Sequence, residues 1–219
     1  MRSALIMLLA IICIMSVVPT SSAFTWTNTI VLEENGMSWN YTEGYTGKVA
    51  TAYRAFIDSE VGNKDNHISA WELMKVDRLT RNRLKTSLTE ELDVTFDSNS
   101  DDVHTTDVDA DISLDVLGST SKTEDINNMY FVTYSFDRNF FDMGDSMTFD
   151  GEPKTEVTIT MPAGAKMLSY DGVKIKTIDT KNNRTVVNGF FEEEGKITID
   201  YTRKEAEIDV ETEDDEIPE

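Results

Sequence analysis

Cysteine is almost missing from this sequence: Cys13 is the only one, and it lies inside an apolar run near the start. A disulfide framework within the chain is therefore excluded, and the fold must be stabilised by its core, by metal or by partners. Basic side chains are scarce as well, 20 against 41 acidic ones, for a formal charge of −21. That balance excludes a general basic surface for nucleic acid or anionic lipid. After residue 23 no apolar run approaches membrane length, so no span is expected in the mature chain. The only histidines, His67 and His104, fall in segments expected to be polar loops, and no His pair has zinc spacing. No serine sits in a nucleophile elbow and no glycine-rich loop would cradle phosphate. The expectation is a protein that is not an enzyme. Paired carboxylates can hydrolyse glycosides, but a chain this acidic offers too many for the sequence to select two. A carbohydrate-active hydrolase is the alternative that a carboxylate-lined cleft would favour.

What is present begins with an export signal. Arg2 gives a positive start, Ala4 to Val18 is almost wholly apolar, and Pro19-Thr-Ser-Ser-Ala23 supplies small residues for cleavage. Residues 1–23 are expected to be a signal peptide cut after Ala23, leaving a secreted or cell-surface protein from Phe24. The apolar run is short for a span, which needs about 20 residues; an uncleaved anchor is the alternative. Ile12 before Cys13 does not fit a lipid-attachment site. Removing Arg2 takes the charge from −21 to −22 (−21 − 1).

Hydrophobic periodicity divides the mature chain. Residues 24–43 are strand-like, with Thr29-Ile-Val-Leu32 and the alternating Met37-Ser-Trp-Asn-Tyr41. Residues 44–91 carry a helical period: Val49, Ala52, Tyr53, Phe56 and Ile57 share one face, and Leu73, Val76, Leu79, Leu84 and Leu88 form a second stripe after Ser69. From 92 to 204 the period is two, in Val94–Phe96, Val108–Val116, Tyr130–Phe136, Glu156–Met161, Val173–Ile178, Thr185–Phe190 and Lys196–Tyr201. Asp171-Gly172, Asn188-Gly189 and Glu194-Gly195 are turn signals. Strict alternation favours antiparallel sheets, and this many strands favours a β-sandwich of the broad immunoglobulin-like class, with topology open. The fold class is mainly β with a helical hairpin. Asp97–Thr106 and the acidic tail 205–219 have the composition of poorly ordered chain.

One segment carries chemistry. In Asp58-Ser-Glu-Val-Gly-Asn-Lys-Asp-Asn-His-Ile-Ser-Ala-Trp-Glu72, anchoring on Glu72 as a bidentate last ligand makes Ile68 the central apolar residue. Asn63 and Asp65 become the middle donors, His67 offers its carbonyl, and Ser69 acts directly or through water. Over residues 48–76 the segment resembles the EF-hand, and more closely a lengthened variant found in exported archaeal surface proteins. The resemblance implies calcium held by Asp58, Asn63, Asp65, His67, Ser69 and Glu72. A 12-residue loop would start at Val61, so Asp58 enters only through a looped-out insertion, and Asn66 replaces the turn glycine. Ser69-x-x-Glu72 is equally a capping box, which needs no metal.

Other features have structural readings. Asp107-Val-Asp-Ala-Asp111 is expected to be the wet face of a strand. Lys75, Arg78, Arg81, Arg83 and Lys85 are expected to complement a helix C-terminus. Asn40-Tyr-Thr42 and Asn183-Arg-Thr185 match glycosylation acceptors, and Trp39 and Trp71 are expected in a core or interface. The expected function is a non-enzymatic exported surface or envelope protein with a structural calcium loop. The alternative is a metal-free interaction module for an extracellular protein or glycan partner.

Overall fold

The structure, a computed structural model, describes residues 24–90 and 92–203. The expected signal peptide and the acidic tail lie outside the described residues. In chain order the elements are β1 (Phe24–Glu33), β2 (Gly36–Tyr45), helix α1 (Gly47–Glu60), β3 (His67–Ile68), helix α2 (Ala70–Glu90), β4 (Val94–Phe96), β5 (Val103–Asp111), β6 (Gly118–Ser119) and β7 (Ile126–Phe136). They continue with β8 (Ser146–Asp150), β9 (Glu156–Thr160), β10 (Ala165–Asp171), β11 (Val173–Lys181), β12 (Arg184–Phe191) and β13 (Lys196–Arg203).

Seven strands form one sheet in the order β11-β12-β9-β1-β2-β7-β5, and four form a second in the order β10-β13-β8-β4. β3 and β6 make a two-residue ladder. The pairings are antiparallel, as the alternation implies, except that β1 runs parallel to β9 over Thr27–Val31 and Glu156–Thr160. The residues 24–43 lie at the centre of the large sheet, between β9 and β7, rather than ahead of it.

The inner face of the large sheet shows why two cores form. β7 sends Ile126, Asn128, Tyr130, Val132, Tyr134 and Phe136 inward and the residues between them outward. Along the same strands, Ile30, Leu32, Trp39, Val132 and Tyr134 meet Met147, Phe149, Ile197, Ile199 and Tyr201 of the second sheet. That is the sandwich core. Further along, Tyr45, Ile126 and Tyr130 meet Val49, Ala50, Tyr53 and Ile57 of α1 and Val76 of α2. The hairpin thus covers the half of the sheet that the second sheet leaves bare. Helix α2 spans both: Leu73 and Val76 belong to the helical core, Leu88 to the sandwich core, and Leu84 packs against each.

Several expectations change. The alternation through Val116 ends early: β5 stops at Asp111, and Leu114–Val116 is a single 3-10 turn that leaves Leu114 72% exposed. Asp97–Thr106 is ordered. Its first part turns through Asp97 and Ser98 at positive φ, and Val103 opens β5 with its side chain buried. His104 accordingly sits on a strand, beside Asp137 at 3.0 Å. Asn188-Gly189 lies inside β12, and the turn is Asn182-Asn183, with φ of 51° and 59°, the conformation of a two-residue hairpin loop. Asp107, Asp109 and Asp111 do face solvent. No helix among the described residues is long and apolar enough to cross a membrane.

Candidate functional site

The loop between the helices is where the sequence placed the metal. Beyond Val61, whose N–H bonds Ile57 O, the chain turns through Lys64 and Asn66, both at φ 63°. Asn66 thereby takes the left-handed conformation expected of the residue replacing a turn glycine. Asp58 is buried and accepts the Lys64 N–H through Oδ1 and the Asn66 N–H through Oδ2, each at 3.0 Å. Glu72 Oε1 accepts the Asn63 N–H at 3.1 Å. Its Oε2 accepts the Ser69 N–H at 2.8 Å and the Ser69 hydroxyl at 2.9 Å. Ser69 Oγ accepts the Glu72 N–H in return, completing a capping box. Asp65 accepts the His67 N–H at 2.9 Å and the Asn63 amide at 3.0 Å. His67 and Ile68 pair with Ser119 and Gly118.

Calcium needs six to eight oxygens turned to one centre. Here every carboxylate oxygen of Asp58, Asp65 and Glu72 is turned to an N–H or O–H donor of the loop itself. Among the described residues no group of three or more His, Cys, Asp or Glu is placed to hold a metal. As arranged, the carboxylates close the loop through its own N–H groups. The Ser69 N–H first, then the Ser69 hydroxyl and the Asn63 N–H, holds the Glu72 carboxyl below its ordinary range. Its contribution to stability is present above the unfolded carboxylate range and is lost as pH falls through its folded value. Glu72→Gln removes these charge-assisted bonds and is expected to cost about 1–3 kcal/mol. For a self-closed loop, urea unfolding should show the same cost with and without a chelator.

The basic cluster has a different job from the expected one. The last turn of α2 contains no basic residue. Instead Lys75 donates to Val61 O at 3.1 Å, Arg83 meets Glu60 on α1 at 3.4 Å, and Arg81 pairs with Asp77 and with Asp109 on β5. These cations hold the helix to its neighbours.

A second constellation lies where the hairpin meets the sandwich, and the sequence reading missed it. A cavity of about 540 Å³ opens there over the inner face of β1, β2 and β7. Its floor includes Tyr41, Glu43, Tyr45 and Tyr130; α2 supplies Leu79, Leu84 and Leu88; Asp93 and Glu152 close the far side. Exposed Asn82, Arg83, Thr86 and Glu90 of α2 also line it and mark the way to solvent. Glu43 is 1% exposed, and its Oε2 accepts the Tyr45 hydroxyl at 2.6 Å and the Tyr130 hydroxyl at 3.0 Å. Asp93 accepts Tyr41 through Oδ2 at 2.6 Å and Tyr134 through Oδ1 at 2.7 Å. Tyr53 stacks on Tyr45 with centroids 4.4 Å apart and takes a bond from Asn128 at 2.9 Å.

Burial raises the Glu43 carboxyl against the lowering effect of its two phenol donors. Burial likewise pushes Asp93 up to about 6, with Tyr41 and Tyr134 opposing. Asp93 is half-buried as a residue, but its carboxylate is the end enclosed by the phenols. The folded chain therefore holds the Asp93 proton to higher pH than the unfolded chain, whose carboxyl titrates near ~3.9. The folded state binds more protons between those values, so stability falls as pH rises from about 4 to about 6. Asp93→Asn should flatten that part of the profile, gaining about 1–3 kcal/mol at pH 7 relative to pH 4. Urea midpoints of the two proteins at the two pH values measure it.

The missed signal was parity. Met37, Trp39, Tyr41, Glu43 and Tyr45 share the inward phase of β2, so a carboxylate at 43 on a strand read as far as 45 announces a buried charge.

No family model and no curated protein matches the chain. It is similar in structure to a two-domain M1 zinc metallopeptidase bound to L-tryptophan, at TM-score 0.34 and 7% identity. It is also similar to the M1 zinc metallopeptidase from Deinococcus radiodurans, at TM-score 0.33 and 6% identity. Each comparison covers 82% of this chain and 43% of the other, so the chain spans under half the length of these structures.

Proposed function

We propose that this chain is an exported, non-enzymatic binding module that holds a small ligand between its helical hairpin and its sandwich. The observation that carries the reading is the seam cavity: about 540 Å³, apolar and aromatic on its walls, with the buried carboxyl of Glu43 in its floor. Ligand sites are concave, largely apolar, sized from roughly 300 to 1,000 Å³, and carry a few convergent polar groups. Export rests on the charge and apolar pattern of residues 1–23. In this reading the Asp58–Glu72 loop is a metal-free clasp that fixes the angle of the two helices.

An uncharged fluorescent probe, N-phenyl-1-naphthylamine, tests the site. Its emission should rise on mixing with the full chain, since the walls exclude water. Leu84→Trp, which fills the space between the two cores, should weaken probe binding about tenfold or more while the fold is kept. Undiminished binding by that variant would sink the site.

The carboxylate-lined wall favours a second reading, a carbohydrate-active hydrolase in which Asp93 is the acid. General acids of such enzymes hold raised carboxyl values, and Asp93 is raised by burial. Release of nitrophenol from a panel of nitrophenyl glycosides, lost in Asp93→Asn, would establish that reading in place of the first.

A further inference from the structure

We infer that the seam cavity takes an amphipathic organic ammonium ion, its cationic head at Glu43 and its apolar body between Leu79, Leu84 and Leu88. This rests on the cavity being the binding site, as proposed above, and adds the chemistry of what enters it.

An inventory of donors and acceptors decides the class. Three phenol hydroxyls of the lining are already committed: Tyr45 and Tyr130 donate to Glu43, and Tyr41 donates to Asp93. Asn28 is spent too, its amide donating to Thr155 and Glu156 while its oxygen accepts from Trp39. What the floor retains is acceptor capacity. Glu43 Oε1 takes no hydrogen bond from the described residues, on a side chain that is 1% exposed. Among the described residues, the fully buried lining nitrogen without a partner is the indole N–H of Trp26. A ligand completing the floor must bring hydrogen-bond donors to Glu43 Oε1.

Charge points the same way. Glu43, Asp93 and Glu152 line the space with Asp150, and burial raises the Glu43, Asp93 and Glu152 carboxyls. Two cations stand near and both are engaged: Arg83 with Glu60, and Lys196 with Asp150. A carboxylate or phosphate ligand would meet like charge without a free partner. A neutral sugar could donate its hydroxyl hydrogens to these carboxylates but brings no charge to pair with them. An ammonium restores the ionised form of Glu43 by direct contact, and the rings of Trp26, Tyr41 and Tyr45 add faces and edges suited to a cation with an apolar body.

The test is displacement of N-phenyl-1-naphthylamine from the full chain by three ligands of one shape: 4-phenylbutylammonium, 4-phenylbutanol and 4-phenylbutyrate. The ammonium is expected to displace the probe at about tenfold lower concentration than the alcohol or more, with the carboxylate weakest. The ratio should persist in about 0.5 M sodium chloride, which screens the general field of an acidic chain but not a buried contact. Glu43→Gln should bring ammonium and alcohol within about threefold of each other with the probe still bound. Equal displacement by ammonium and alcohol in the wild type overturns the ligand class, and that comparison needs no variant to fold. A ratio unchanged in folded Glu43→Gln overturns the place of the cationic head. Failure of the wild type to bind the probe at all overturns the cavity reading and this inference with it.

Discussion

Trp39→Ala lowers stability by about 3–5 kcal/mol, read as a fall in the urea midpoint with the slope unchanged. Trp39 is fully buried at the centre of the large sheet. It stacks on Tyr41 at 5.2 Å, meets the edge of Phe149 at 5.9 Å and lies parallel to Phe191 at 6.5 Å. Its removal empties a space bounded by both sheets, and neither can close onto the other without shifting strands. The indole N–H also donates to Asn28 Oδ1 at 3.2 Å, so Trp39→Phe separates lost packing from a lost hydrogen bond and should cost less. Trp71→Ala is the control. That side chain is 64% exposed, and its removal should stay within about 0.5 kcal/mol of the wild type. A Trp39→Ala protein as stable as Trp71→Ala would mean that the two sheets do not pack as described.

Arg54→Met is expected to cost about 2–4 kcal/mol and to loosen one region selectively. Arg54 is fully buried on α1, and burial lowers its guanidinium from its ordinary value while Glu124 and Asp115 oppose. The guanidinium donates to the carbonyls of Lys122 at 3.1 Å, Asp115 at 2.8 Å and Glu124 at 3.0 Å. One side chain thus ties residues 115–124 to the helical hairpin. Methionine keeps the stem and removes the donors, leaving those carbonyls short of a charged partner. Relief of the guanidinium's own desolvation offsets part of the loss. Hydrogen exchange should quicken at amides near Thr120 and the β3–β6 ladder, with β7 and β13 amides unchanged at equal net stability. Uniform acceleration across the chain would show that Arg54 is only a general core residue.

The sequence was legible wherever side chains alternate between one dry and one wet environment. β7, β9 and β13 follow that rule closely, and the apolar spacing found both helices, observed at Gly47–Glu60 and Ala70–Glu90. It failed where burial is polar. The α1 face was drawn through Ala52, but the buried side is Val49, Ala50, Tyr53, Arg54, Ile57 and Asp58. Hydrophobicity cannot enlist an arginine that carbonyls solvate or an aspartate that caps a loop.

Gly189 misled for another reason. It suits a turn in isolation, but it sits in β12 where a Cβ would come within 2.6 Å of the Lys174 carbonyl, beside the bulge between Ile175 and Thr177. The β10–β11 turn at Gly172 was legible: φ is 71°, and a Cβ would approach Lys196 O to 1.8 Å. Of the loop residues, the sequence identified those that organise the helix junction, Asp58, Asn63, Asp65, Ser69 and Glu72. It did not show whether their oxygens face a cation or the N–H groups of the chain, because both demands select the same residue types. The cavity was hidden for a deeper reason. It is assembled from β1, β2, β7, both helices, Asp93 and the segment Asp150–Glu152, and no local pattern records how they meet.

The central claim is that a small molecule occupies the space between the hairpin and the sandwich. Methyl-labelled NMR spectra of the full chain, recorded while N-phenyl-1-naphthylamine is added, test it most directly. Val76, Leu79, Leu84 and Leu88 line the cavity, whereas Leu114 and Leu168 are exposed elsewhere at 72% and 60%. The account expects saturable shifts confined to the first set. Shifts at Leu114 and Leu168, with Leu84 and Leu88 unmoved, would contradict it.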